Sequence, residues 1–197
     1  MLNIPGCLHK DSNGNERLID ISTRLLQDRI VLVQGEVTDE LAESVVAQLL
    51  HLESVDNQAP ITLFVSGPGG SVMAGLSILD TIDMISCPVS TVITGEVASM
   101  SSMIALGGDK GRRKIMPHAR VMLHSVSAGV QGKVQDMKIT LEETLKIQDM
   151  LMNMIAEKCG KDIEQVKKDC ERDYWMSAEE AIEYGCCDEL VKSRKGK

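Results

Sequence analysis

The chain has 197 residues, 43% hydrophobic and 25% charged, so a sizeable globular core is expected and wholesale disorder is excluded. Its formal net charge of −8 makes nucleic acid and anionic membrane poor partners, because phosphate binding needs local positive charge. Uncharged apolar runs reach only about ten residues, half of the about 20 that a bilayer span needs, and no basic segment followed by an apolar one opens the chain, so no signal peptide is expected.

The cysteines Cys7, Cys87, Cys159, Cys170, Cys186 and Cys187 form no C-x-x-C pair and lie at no metal-ligand spacing from a histidine. Reduced thiols in a cytoplasmic compartment follow. Aromatic residues are only 2% of the chain against 12 Met, which predicts an aliphatic, Met-filled core.

Residues 1–17 read as a polar, turn-rich arm with Asp11-Ser12-Asn13-Gly14-Asn15 as a loop tip or hairpin turn. A strand is expected at 30–33, closed by Gln34-Gly35. Thr38 then caps a helix with Leu41, Val45, Leu49 and Leu52 at helical spacing. Residues 61–65 form a second strand, followed by Ser66-Gly67-Pro68-Gly69-Gly70 as a tight turn. A helix over 71–85 follows, with Met73, Leu76, Ile78, Leu79, Ile82 and Ile85 mostly inward. A strand over 89–94 ends at Gly95, and a buried helix over 98–106 is closed by Gly107-Gly108. The basic run Lys110-Gly111-Arg112-Arg113-Lys114 reads as a solvated turn. Short strands are predicted at 115–116 and 120–123. A loop containing Gly129 and Gly132 leads into a long helix over 134–158 that Gly160 ends. A helix over 163–170, a capping box at Ser177-Ala178-Glu179-Glu180 with a helix stopping at Gly185, and a strand over 189–191 complete the chain. Strands alternating with helices predict an α/β fold with a largely parallel sheet, whose strand–glycine–helix corners are where such folds bind and react.

Ser99 follows one of these corners and opens an apolar helix. A hydroxyl fixed there, beside following amides such as that of Met100, suits an acyl-transfer nucleophile next to oxyanion donors. Taken alone, however, it reads first as a plain helix N-cap, a position that serine prefers. Of the histidines His9, His51, His118 and His124, only His124 closes a strand at its carboxyl end, where a general base belongs. A structural histidine bonded to backbone fits the same position. The Ser66–Gly70 segment lacks the Gly-Lys-Ser/Thr of a phosphate loop but can supply a second oxyanion amide. A triad needs a carboxylate. Asp109, Asp136, Asp162, Asp169, Asp173 and Asp188 all follow Ser99, and spacing does not choose among them.

Together these pieces resemble the ClpP proteases. Gly95-Glu96-Val97-Ala98-Ser99-Met100 resembles the family's serine motif and Arg120-Val121-Met122-Leu123-His124 its histidine motif. Pro68-Gly69-Gly70 stands thirty residues before the serine, and Glu171-Arg172-Asp173, followed by Met176-Ser177-Ala178-Glu179-Glu180, resembles the aspartate segment. Arg24-Leu25-Leu26-Gln27-Asp28-Arg29-Ile30 is also typical, so the likeness runs from about residue 16 to 190.

The resemblance implies the ClpP/crotonase-like fold of repeated β-β-α units with a protruding handle helix. It implies a serine endopeptidase with Ser99, His124 and Asp173 as triad and the amides of Gly70 and Met100 as oxyanion hole. Residues 1–17 would be an axial arm, 18–193 one peptidase domain with its handle at about 125–158, and 194–197 a tail. The segment before the long helix, with Ser125, Val126 and Gly129, would pair with substrate backbone and read few side chains. Two stacked seven-membered rings are implied, fed with unfolded polypeptide by an AAA+ unfoldase that alone uses ATP. No metal or cofactor is implied for this chain.

The sequence departs from the family's usual pattern at Gly67, Ser101, Ser125, Val126 and Ala128, and at Thr62 and Met84, where aromatics that grip the unfoldase are common. These changes fit a divergent paralogue. Two other readings compete: a non-catalytic ring subunit, against which the intact Ser99, His124 and Asp173 argue, and a crotonase-type acyl-CoA enzyme, whose chemistry needs no such triad.

Overall fold

A computed structural model describes residues 6–10, 14 and 16–192. Most of the expected turn at 11–15 and the whole 194–197 tail lie outside the described residues. The arm begins as strand β1 (Gly6–Lys10), antiparallel to β2 (Glu16–Asp20), in a two-stranded sheet separate from the main one. Asp20 then caps α1 (Ile21–Gln27) by accepting the Thr23 N–H at 2.8 Å, a short helix that the sequence reading does not contain.

The main body alternates as predicted. Strand β3 (Ile30–Val37) leads into α2 (Asp39–Val55), β4 (Ile61–Gly70) into α3 (Val72–Met84), and β5 (Val89–Ala98) into α4 (Met100–Leu106). Short strands β6 (Arg113–Ile115) and β7 (Arg120–Leu123) precede the long α5 (Val134–Cys159). Helix α6 (Ile163–Asp169), β8 (Tyr174–Met176), α7 (Ala178–Tyr184) and β9 (Glu189–Leu190) close the fold. Strands β3-β4-β5-β6-β9 lie side by side and parallel.

Two strands run further than the sequence predicts. Residues 66–70 are not a turn but the second half of β4, and β5 passes through Gly95 to Ala98. The ladders slip at Gln34/Glu36 and Val65/Gly67, and Gly95 has φ +63°, so the sheet bends at glycines rather than ending there. At Gly67 the backbones come so close that a Cβ would collide with the Gly35 carbonyl. The bend divides β5. Its first half, Thr91–Ile93, pairs with β6, while Glu96–Ala98 pairs with β7. The fork sets the carboxyl ends of β5 and β7 side by side.

The core lies between this sheet and its helices. Ile61, Leu63 and Val65 point inward from β4, and all seven residues of α4 are buried. Leu63 is fully buried, so truncating it to alanine costs about 2–5 kcal/mol. Helix α2 buries Ala42, Val45, Leu49 and Leu52, close to the predicted stripe. Met73 departs from its predicted inward setting and is 64% exposed, since the packed face of α3 runs through Ala74, Ile78, Leu79 and Ile82.

Helix α5 has 26 residues, about 40 Å at 1.5 Å per residue. It buries only Leu151, Met152 and Ile155 near its carboxyl end, and exposes Val134, Ile139, Leu141 and Leu145 along the part that protrudes. Its last turn is held by Arg113, whose guanidinium donates to the Lys158 carbonyl at 2.9 Å. The reading of residues 110–114 as a solvated turn therefore holds for the exposed 110–112 and is corrected at Arg113, which lies buried in β6. Arg113 is only 4% exposed and forms a two-pronged pair with Asp188, Nε to Oδ2 at 3.0 Å and Nη2 to Oδ1 at 2.6 Å. Burial favours the uncharged form of Asp188, yet these bonds hold its carboxyl below the ordinary 3.8.

Candidate active site

Ser99 is the single residue between β5 and α4. Its backbone has φ +53° and ψ −125°, a conformation that costs a non-glycine residue about 1–3 kcal/mol and must be imposed by its surroundings. Although it occupies the N-cap position, its side chain makes no capping hydrogen bond. The hydroxyl instead faces His124, with Oγ 2.8 Å from Nε2. The strained corner turns the oxygen away from the helix amides and toward the imidazole, which separates this serine from an ordinary cap.

The β5–β7 pairing brings these two residues together. Ala98 stands opposite Met122, and the Ser99 N–H donates to the Met122 carbonyl at 3.0 Å, so the residues just beyond each strand end share one space. Strand β8 extends the register on the other side. Leu123 stands opposite Tyr174 in an antiparallel pair, and the next step sets His124 against Asp173. The His124 Nδ1 to Asp173 Oδ1 distance is 3.6 Å, within ion-pair range but beyond a hydrogen bond. Asp173 is 62% exposed and His124 23%, so this edge of the site is open to water.

The other aspartates are engaged elsewhere. Asp109 accepts the Val89 N–H, Asp162 caps α6, Asp169 accepts the Tyr184 hydroxyl, and Asp188 holds Arg113. Asp136 lies exposed on the first turn of α5. Only β8, three residues long and absent from the sequence reading, singles out Asp173.

Gly70 and Met100 border the same cleft as Ser99 and His124. Met100 is the first residue of α4, so its N–H has no intrahelical acceptor. Gly69 is pressed against the Ser99 corner at φ +94°. A Cβ there would meet the Ser99 Cβ at 2.6 Å, the Ala98 carbonyl at 2.8 Å and the Met100 nitrogen at 2.9 Å. No other residue fits. The cleft is about 150 Å³, and beyond the polar groups its walls are Val72, Met103, Leu123, Val126, Leu151, Met152 and Ile155.

Helix α5 thus supplies apolar walls to the cleft, a role that sequence reasoning assigned to none of its side chains. The signal was available, since Leu151 and Ile155 are four residues apart on one helix face. Of the segment expected to bind substrate backbone, Ser125 and Val126 line the cleft and Gly129 does not. Residues 124–133 are irregular and pair with no strand among the described residues, and the Ser125 N–H is already taken by the Cys170 carbonyl at 2.7 Å. Among the described residues, no three His, Cys, Asp or Glu side chains converge as metal ligands, and no helix is long and apolar enough to cross a membrane.

A serine hydroxyl on an imidazole, a carboxylate behind the imidazole and a glycine-lined edge beside the serine make up the equipment of a serine hydrolase working by acyl transfer. The chain matches the Clp protease family over residues 13–194 and belongs to it. It is 46% identical over 194 residues to proteins named ATP-dependent Clp protease proteolytic subunit from Streptococcus pyogenes serotype M5 (strain Manfredo), serotype M49 (strain NZ131) and serotype M1, covering 98% of this chain and 98% of each relative.

Proposed function

We propose that this chain is the serine peptidase subunit of an ATP-dependent Clp protease and that it cleaves unfolded polypeptides through Ser99, His124 and Asp173. The observation that carries the reading is the 2.8 Å contact between Ser99 Oγ and His124 Nε2 at a strained corner where the hydroxyl caps nothing. In this scheme Ser99 Oγ attacks the scissile carbonyl while His124 Nε2 takes its proton. The amides of Gly70 and Met100 stabilise the tetrahedral oxyanion. His124 then protonates the leaving amine, and water activated by the same nitrogen releases the acyl-enzyme. Asp173 closes on Nδ1 as the imidazolium forms, which removes the slack in the 3.6 Å distance. No metal or cofactor is needed for these steps.

The apolar cleft of about 150 Å³ suits a side chain of leucine or methionine size on the acyl side of the cut. Extended substrate would lie along residues 126–131, main chain against main chain, beyond the Ser125 N–H that the Cys170 carbonyl already takes.

Residues 18–193 act as one peptidase unit and residues 1–17 as an axial arm. The unpartnered apolar residues of α5, Val134, Ile139, Leu141 and Leu145, would be covered where two seven-membered rings stack. On the opposite face of the sheet, Ile30, Phe64, Val92 and Met116 border a hollow of about 570 Å³. An apolar loop of an AAA+ unfoldase would seat there, and that partner would hydrolyse the ATP. The reading includes a cytoplasmic setting, a reducing compartment in which free thiols such as these stay reduced. A non-catalytic ring subunit has no use for the strained Ser99 corner, and crotonase-type acyl-CoA chemistry has none for the Ser99–His124 contact.

The test is hydrolysis of a fluorogenic peptide with leucine before the scissile bond, by wild type and Ser99→Ala, with and without a Clp-type ATPase. Turnover should fall in the variant to the residual ~10³–10⁴-fold advantage over water that binding and oxyanion contacts retain. Equal turnover by the two proteins overturns the reading.

A further inference from the structure

One turn behind the nucleophile, α4 buries two hydroxyls that the proposed chemistry does not use. Ser101 is 2% exposed and Ser102 1%. A hydroxyl removed from water is costly unless it is paired, and each of these is paired across the fold. Ser101 Oγ accepts the Gly69 N–H at 3.1 Å, in a buried bond between residues 32 apart in sequence. Ser102 Oγ donates at 2.8 Å to the Met122 carbonyl, the same oxygen that receives the Ser99 N–H. Gly69 adjoins Gly70, and Met122 lies two residues before His124. The helix that carries the nucleophile is therefore pinned separately to the oxyanion strand and to the histidine strand.

The Gly69 bond matters most because the ladder fails there. On the β5 side of β4, pairing ends at Gly67 opposite Val97. Toward β3 it continues, with Glu36 opposite Gly69 and Val37 opposite Gly70. With no β5 partner beyond Gly67, the tie between this backbone and the nucleophile's helix is the Gly69 N–H donated to Ser101 Oγ. We infer that Ser101 is a positioning residue: its hydroxyl sets how far the Gly69-Gly70 backbone stands from Ser99, and so aims the Gly70 N–H at the developing oxyanion. This rests on the reading of Ser99 as nucleophile and Gly70 as oxyanion donor, and it adds a determinant of rate that touches no substrate.

The experiment compares wild type, Ser101→Ala, Ser101→Gly and Ser102→Ala as full, assembled proteins. Hydrogen exchange of the Gly69 amide is read by mass spectrometry on peptides spanning it. Ser101→Ala should raise that exchange at least about tenfold. It should lower kcat by about tenfold to a hundredfold, the scale of a displacement of up to about 1 Å at a reacting group, with KM within twofold. Affinity for a peptide boronate, which mimics the tetrahedral state, should fall by the same factor as kcat, while affinity for a product peptide stays unchanged. Ser101→Gly should behave alike if the alanine variant fails to assemble. Ser102→Ala removes an equally buried hydroxyl one position away and should leave Gly69 exchange at the wild-type rate. Gly69 exchange unchanged in Ser101→Ala, or raised equally in Ser102→Ala, overturns the inference. An inert wild type would overturn the proposed function instead, and the exchange measurement would still decide whether Ser101 holds Gly69.

Discussion

Replacing Asp188 with alanine would strand a cation inside the protein. Arg113 is 4% exposed, and its partner's carboxylate accepts from the guanidinium at 2.6 and 3.0 Å and from the backbone N–H groups of Gly111 and Arg113 at 2.8 and 2.9 Å. Breaking a buried pair from one side costs about 3–5 kcal/mol, because the remaining charge stays desolvated. At about 2–4 °C per kcal/mol for a domain of this size, the melting midpoint should fall by about 6–20 °C, measured at fixed protomer concentration because assembly also stabilises. The double variant Arg113→Met/Asp188→Leu should recover most of the loss. Hydrogen bonds hold the Asp188 carboxyl below 3.8 in the folded protein despite its burial. A carboxylate with a depressed folded value stabilises above its unfolded value and loses that contribution as pH falls through the folded one. The gap between wild type and Asp188→Ala should therefore hold from pH 5 upward and close below about pH 4. A loss under about 1 kcal/mol, the scale of an exposed pair, would refute the reasoning.

Gly69→Ala should reduce peptide hydrolysis by more than about a hundredfold, since its Cβ would sit 2.6 Å from the Ser99 Cβ; a variant within tenfold of wild type in a fluorogenic assay would contradict the crowding. Met152→Ala, at a 3% exposed wall of the cleft, should cut kcat/KM for a leucine peptide about tenfold and favour a phenylalanine peptide, read from the ratio of the two substrates. Among the thiols near the carboxyl end of α5, Cys159 should alkylate first at pH 8. Its contact with the Cys186 thiol at 3.8 Å lowers it, whereas burial pushes Cys170 and Cys187 up to about 12. Peptide mapping after iodoacetamide would contradict this by finding Cys170 or Cys187 modified earlier.

Elements that announce themselves locally were legible in the sequence. Thr38, Ser177 and Gly160 mark helix ends by their own chemistry, and each stands where its type predicts, as N-cap of α2, N-cap of α7 and left-handed C-cap of α5. The misses share a cause, which is that the deciding partner is far along the chain. Residues 66–70 look like a turn because glycine and proline usually make one. They remain in the sheet because β3 offers a ladder up to Val37–Gly70. Arg113 looks solvated within a basic run, and it is buried by a carboxylate 75 residues away. The serine and histidine could be proposed from strand ends alone. Choosing the acid without a family likeness needs the β7–β8 register, which three residues of strand signal too weakly. That Ser99 is not an ordinary cap is a matter of one backbone angle and one 2.8 Å contact, and no composition or periodicity encodes either.

The most direct test of the central claim is intact-mass analysis of wild type and Ser99→Ala after treatment with a fluorophosphonate, which reacts with a serine only when a neighbouring base and oxyanion donors activate it. Wild type should gain one adduct per subunit and Ser99→Ala none. An assembled wild-type protein that gains no adduct, or a Ser99→Ala variant that still gains one, would contradict the assignment of Ser99 as the activated nucleophile.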